Sequence, residues 1–273
     1  MTRIMNLACT LAALFTLIGA GPALLQAVNG TWVLAPSGQQ HQWQIRLSSS
    51  DEDTRQWEES LHLDAPPSST PFSIRRDAGT FDFTGTLAEG TGSGRFTFTP
   101  SSAFVNGLAS RNLHLRSVRD LTAAAAVDLT LSYIDAIGAA GYPSLSFEKL
   151  LAFRAVGATP ASIAELRSVF GQLPAEDVIS TTALHVTRAY VDELHSMGVD
   201  GITPRRAVTF KALHIDKAYI EDLSRMGYAH MKPDDIVSFK AMHIDAAYLQ
   251  HLREHGLKNL TPQQVIEMKA TGL

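Results

Sequence analysis

A block of 29 residues recurs along the second half of the chain, and it constrains the architecture more than any other feature. Thr187-Arg-Ala-Tyr190, Asp216-Lys-Ala-Tyr219 and Asp245-Ala-Ala-Tyr248 stand in register, each 29 residues after the one before. A fixed period of about 20–50 residues is the signature of units that stack to bury a shared core.

Each unit carries the punctuation of two short helices. Thr187 is placed to cap a first helix, in which Val191, Leu194 and Met197 recur at a spacing of three. Gly198 follows as the residue that accepts a left-handed turn. Thr203 then caps a second helix with Pro204 at its first position, where a missing N–H costs nothing, and Val208, Phe210 and Leu213 continue it. Gly141, Gly198, Gly227 and Gly256 mark the ends of first helices, and Pro204, Pro233 and Pro262 the starts of second ones. Thr261-Pro-Gln-Gln264 reads as a capping box. Helices of about 10–12 residues are expected, too short to persist alone in water, so each must be held by its neighbours. The units are 130–158, 159–186, 187–215, 216–244 and 245–273, preceded by an eroded one at 101–129 that would cap the array. The unit beginning at Thr159 is one residue short, which places Gly171 late.

Ahead of the repeats the period changes to two. Trp43, Ile45 and Leu47 alternate with polar neighbours, as do Phe81 and Phe83, and Phe96 and Phe98. Such alternation puts one face in a core and the other in water. Strands are expected near 31–35, 41–48, 56–63, 72–77, 79–87 and 93–99, with turn formers such as Pro36-Ser-Gly38 and Pro66-Pro-Ser-Ser69 between them. The fold class is therefore α+β: a small antiparallel β-sheet or partial barrel over 28–100, then an α-helical repeat array over 101–273. Gly85, Gly90, Gly92 and Gly94 cluster around the last hairpin. A phosphate-cradling loop needs its glycines between a strand and a helix, so these read as turns and bulges.

Residues 1–27 read as a secretory signal peptide, with Arg3 ahead of an apolar run from Ile4 to Leu25 that Gly19, Gly21 and Pro22 interrupt. An uncleaved membrane anchor is the alternative, since the run approaches the ~20 residues that span a bilayer. The single cysteine, Cys9, lies inside this segment, so a mature chain would have no disulfide, thiolate metal site or cysteine nucleophile. This pattern suits a bacterial periplasmic or secreted protein. The net charge of −4 is spread over interspersed acids and bases, without the basic stripe of a nucleic-acid binder.

Several residues invite a chemical reading. His185, His214 and His243 recur at the ends of second helices. Stacked units lie about 10 Å apart, whereas zinc needs its ligand nitrogens within ~2.1 Å, so three equivalent rungs cannot share one ion. A helix-end role fits, because Gly157 and Gly272 take the same slot in other units. His251 and His255 lie four apart, but Leu252 stands where a metallopeptidase helix needs its glutamate. Neither a metal nor another cofactor is expected. Tyr190, Tyr219 and Tyr248 would form a partner-binding ladder if exposed, or repeat core if buried. Trp32, Trp43 and Trp57 would line a ligand pocket if the β-domain is hollow, or fill its core if it is not. No nucleophile elbow, phosphate loop or dinucleotide fingerprint is present, so no catalytic residue can be named.

The stretches Thr-x-x-Tyr-Val-x-Glu-Leu-x-x-Met-Gly at 187–198 and Thr-Pro-x-x-Ala-Val-x-Phe-Lys-Ala-Leu-His-Ile at 203–215 resemble a helical repeat of bacterial exported proteins. A similar repeat stands at the C-terminal end of some BlaR1-type antirepressor metallopeptidases. Arg75-Arg-Asp-Ala-Gly-Thr-Phe-Asp-Phe83 and Gly92-Ser-Gly-Arg-Phe-Thr-Phe98 resemble the β-segment that accompanies it, so the resemblance covers roughly residues 30–273. The transmembrane bundle and zinc motif of those peptidases have no counterpart, and no catalytic residue carries over. The resemblance implies a sensing or interaction module on the outer side of the membrane. The expected function is a non-enzymatic protein- or peptide-binding module of the cell envelope. The alternatives are an envelope hydrolase or small-ligand binder built on the β-domain and, more remotely, metal sensing through histidine.

Overall fold

The computed structural model describes residues 25–37, 42–50 and 56–272. The targeting segment expected over residues 1–27 falls almost wholly outside them. The chain forms two compact units that divide between Thr122 and Ala123.

The first unit is built on six antiparallel strands: β1 (Val28–Pro36), β2 (Trp43–Ser50), β3 (Gln56–Leu63), β4 (Phe72–Arg76), β5 (Gly79–Ala88) and β6 (Thr91–Pro100). Their order is β3-β2-β1-β6-β5-β4: two three-stranded meanders joined where β1 pairs with β6. The sheet is a half-barrel with β3 and β4 at its edges, as the alternating pattern led us to expect. Trp32, Leu34, Ile45, Leu47, Leu61, Phe81, Phe83, Phe96 and Phe98 all point to one face and are almost fully buried. Their rings pack edge-on and offset, with Phe81 and Phe98 4.6 Å apart and Trp32 and Phe83 5.8 Å apart. Helix α1 (Ser102–Ala109) adds Phe104, Val105 and Leu108 to the buried residues of this unit.

The glycines need a correction. Only Gly90 sits in a turn, where Glu89 (φ 50°) and Gly90 (φ 78°) form a two-residue connection of the type that matches strand twist. Gly85, Gly92 and Gly94 lie inside strands. Gly94 pairs with Gly85 on one side and Trp32 on the other, and a Cβ there would run into the carbonyl of Thr84. Gly92 likewise leaves room for the Trp32 ring. These glycines answer large partners across the sheet rather than marking bulges.

The rest of the chain is helical: α2 (Val118–Ala126), α3 (Leu131–Ala139), α4 (Phe147–Ala155), α5 (Pro160–Phe170), α6 (Ala175–Ala183), α7 (Arg188–Ser196), α8 (Pro204–Ala212), α9 (Lys217–Arg225), α10 (Pro233–Ala241), α11 (Ala246–Glu254) and α12 (Pro262–Thr271). Most span nine residues, shorter than expected, because the caps at both ends consume positions that the apolar pattern assigned to helix. Side chains of Thr130, Thr187, Thr203, Asp216, Asp245 and Thr261 each accept a bond from a first-turn N–H. Thr159 forms a second capping box with Ser162, and the short unit is accommodated by an α5 of eleven residues. Pro174 and Lys232 stand at N-cap positions without a side-chain bond.

In the second unit α4, α6, α8, α10 and α12 pack one on the next, and α5 packs on α7. Their apolar faces share one core containing Val191, Leu194, Phe210, Ile215, Leu223, Phe239, Leu249 and Val265. No single described helix is long and apolar enough to cross a membrane.

Candidate functional site

The tyrosine ladder is a stapling device on its inner side. In Tyr133 and Tyr190 the hydroxyl donates to the carbonyl of the residue 25 positions on, Ala158 at 2.8 Å and Ile215 at 2.9 Å. This ties the first helix of a unit to the end of its second. Tyr190 is 9 % exposed, while Tyr219 and Tyr248 are partly buried. Each ring carries a cation 21 residues on: Lys211 4.0 Å from the Tyr190 centroid, Lys240 4.1 Å from Tyr219, Lys269 4.0 Å from Tyr248, and Arg154 5.4 Å from Tyr133. Burial pushes the Tyr190 hydroxyl up to about 12, with the carboxylates of Asp216 and Glu193 adding to the shift. Tyr219 is raised to about 12 by burial and Asp245. Burial raises Tyr133 to about 12 although the Arg154 charge opposes it.

The histidine ladder occupies a backbone position. His185, His214 and His243 have φ of 51°, 52° and 53°, the left-handed conformation of a residue just past a helix end. Behind each, the next N–H reaches back into the helix, as in Ile215 to Phe210 at 2.8 Å and Ile244 to Phe239 at 2.8 Å. Gly157 and Gly272 fill the same slot with φ of 76° and 84°. All three rings are exposed. The rings of His251 and His255 lie 4.2 Å apart, and His255 Nδ1 donates to the carbonyl of His251 at 2.9 Å. No group of three metal-ligating side chains occurs among the described residues.

The three tryptophans are not gathered around one opening. Trp32 and Trp57 are 1 % and 3 % exposed, and Trp32 donates its indole N–H to the Thr84 carbonyl at 3.0 Å. Trp43 is partly buried, and the indole N–H groups of Trp43 and Trp57 are enclosed without a partner. A shallow cavity of the first unit, about 310 Å³, opens beside Leu63, Pro67, Phe72 and Ile74 instead. Glu59 shares the inward face of edge strand β3 with Trp57 and Leu61. Burial raises its carboxyl above the usual range, against the pull of the Arg119 charge.

The second unit holds a feature that no single-residue reading of the sequence revealed. A cleft opens where the end of one first helix meets the next, and it occurs twice with the 29-residue period. In the earlier copy Met197, Val199, Leu223 and His230 enclose about 60 Å³. In the later copy Met226, Tyr228, Leu252 and Asn259, each 29 residues further, enclose about 310 Å³. A second groove of about 410 Å³ continues from it past Tyr228 and Leu260 to Lys232 and Asp235. The signal was present in the repeat itself: Gly201, His230 and Asn259 form a second left-handed column, with φ of 72°, 56° and 57°.

The chain matches no family model, no curated protein and no solved structure.

Proposed function

We propose that this is an exported, non-enzymatic binding module of the bacterial cell envelope, which holds a protein or peptide partner along its helical repeat array. The observation that carries this reading is the recurring inter-unit cleft, which offers a chain of contact sites at fixed spacing. Stacked helix pairs present such extended surfaces as a class. The apolar N-terminal run supports export, and the likeness of residues 187–215 to the repeats of BlaR1-type antirepressors supports a sensing or scaffold role outside the membrane. The test is cross-linking in intact cells followed by affinity capture from the envelope fraction. A specific partner, lost when unit 245–273 is altered, is the expected result. Capture of nothing, together with hydrolytic activity on envelope substrates, would count decisively against it.

A second reading places a small ligand in the β-unit. It is favoured by the enclosed, partnerless indole N–H groups of Trp43 and Trp57. Tryptophan fluorescence reads this unit alone, since all three tryptophans lie in it. A ligand that shifts the emission would support the reading, and invariance across a metabolite panel would remove it.

A further inference from the structure

The two clefts share a backbone but not their lining. In the earlier one the His230 ring lies against Gly198, so close that a Cβ on that glycine would stand 2.5 Å from Nδ1. His230 is the plug. One unit on, Asn259 takes its place with a shorter side chain, and the nearest atom to a Cβ on Gly227 would be Arg253 Nη2 at 3.9 Å. The space left open is about five times larger, 310 against 60 Å³.

Two other columns change at the same level. Ser224 gives way to Arg253, and Ala229 to Lys258. The later cleft thus gains two cations while losing its plug. Arg253 donates to the Met226 carbonyl, and a guanidinium has five donors, so most remain available. Neither Arg253 nor Lys258 forms an ion pair with a described carboxylate. The floor is apolar, with Leu249 and Leu252 2 % and 3 % exposed. Tyr142, the counterpart of Tyr228 in an earlier unit, donates its hydroxyl to the Leu173 carbonyl at 2.7 Å. The Tyr228 hydroxyl has no such bond, because the cleft separates it from Leu260.

We infer that the cleft beside Asn259 is a binding site for an acidic peptide, taking an apolar side chain onto Leu249 and Leu252 while flanking carboxylates meet Arg253 and Lys258. Charge complementarity selects this occupant: an apolar slot rimmed by two unpaired cations favours a leucine-like residue with acidic neighbours. The Tyr228 hydroxyl and the Asn259 amide are then free to bond the peptide backbone. The inference rests on the reading of the array as a peptide-binding module and assigns its contact to one unit.

The preceding unit supplies the variants. Asn259→His, Arg253→Ser and Lys258→Ala each install the residue that the same backbone already carries 29 positions earlier, so folding is preserved. The probe is a fluorescein-labelled Gly-Glu-Leu-Glu-Gly peptide, read by anisotropy with the full chain. Gln-for-Glu and Ser-for-Leu versions are the controls. Asn259→His is expected to weaken binding at least about tenfold, and each cation variant by about three- to tenfold with loss of the preference for Glu over Gln. Raised salt should weaken the wild-type complex. No wild-type binding, equal binding by Asn259→His, or equal affinity for the Gln peptide each overturns the assignment. Envelope capture run in parallel separates the two readings. A partner still held by Asn259→His leaves the module standing and removes this cleft from it. Peptide binding without any captured partner does the reverse.

Discussion

The hydroxyl of Tyr190 donates to the carbonyl of Ile215 at 2.9 Å, closing a loop of 25 residues between the start of α7 and the residue that follows the end of α8. Ile215 is 1 % exposed, so its carbonyl has no route to water once the phenol is gone. Tyr190→Phe keeps the ring and its Lys211 contact and removes only the bond. We expect a loss of about 1–3 kcal/mol, the cost of an orphaned buried acceptor. Denaturant unfolding followed by far-UV circular dichroism should show the shift, with tryptophan emission unchanged at the same concentrations. A variant as stable as wild type would mean that water reaches the Ile215 carbonyl.

His214 has φ of 52°, where a β-branched side chain is strained and glycine is not. His214→Ile should therefore destabilise by about 1–2 kcal/mol. His214→Gly should be neutral or slightly stabilising, because relief of strain is partly offset by the greater freedom of glycine in the unfolded chain. Thermal melts of the two variants should diverge in opposite directions from each other. Millimolar zinc should not alter the wild-type melt by more than it alters a variant with all three ladder histidines replaced by glycine.

At high pH the tyrosines predict a loss of stability. Tyr133, Tyr190 and Tyr219 ionise near 10 when unfolded but are raised to about 12 in the fold. Between those values the unfolded chain has released protons that the folded chain retains, so unfolding becomes easier as pH rises. The contribution is complete below pH 10 and is lost on rising through about 12. Absorbance at ~295 nm should show part of the tyrosine titrating late and together with loss of helix. A single normal titration near 10 with helix intact would contradict it.

Gly94→Ala places a methyl group against the Thr84 carbonyl and the Gly85 backbone, neither of which can rotate away. Overpacking of this kind costs about 1–3 kcal/mol or more, and here it acts on the β5–β6 pairing. Tryptophan emission should report early unfolding of the first unit. The helical signal of the second unit should persist to higher denaturant, since the two are separate compact units.

The sequence by itself determined the secondary structure and its order. Caps, stops and N1 prolines are local devices, acting within a few residues of where they stand, so Thr187, Gly198 and Pro204 announced the helix pair before any packing was known. The period-two runs announced the strands, because each places alternate side chains on one face. What only the tertiary structure decided lies between elements. The sequence could not tell that Gly94 answers Trp32 across β1 and β6, since that pairing joins residues 62 positions apart. Nor could it tell which side of Tyr190 faces solvent, because its hydroxyl and its ring are satisfied by Ile215 and Lys211 from the far helix of the unit. The His230 and Asn259 column was visible as a substitution, but not as a plug and its absence. A cleft is made by the distance between surfaces, and that distance is fixed only when the units stack.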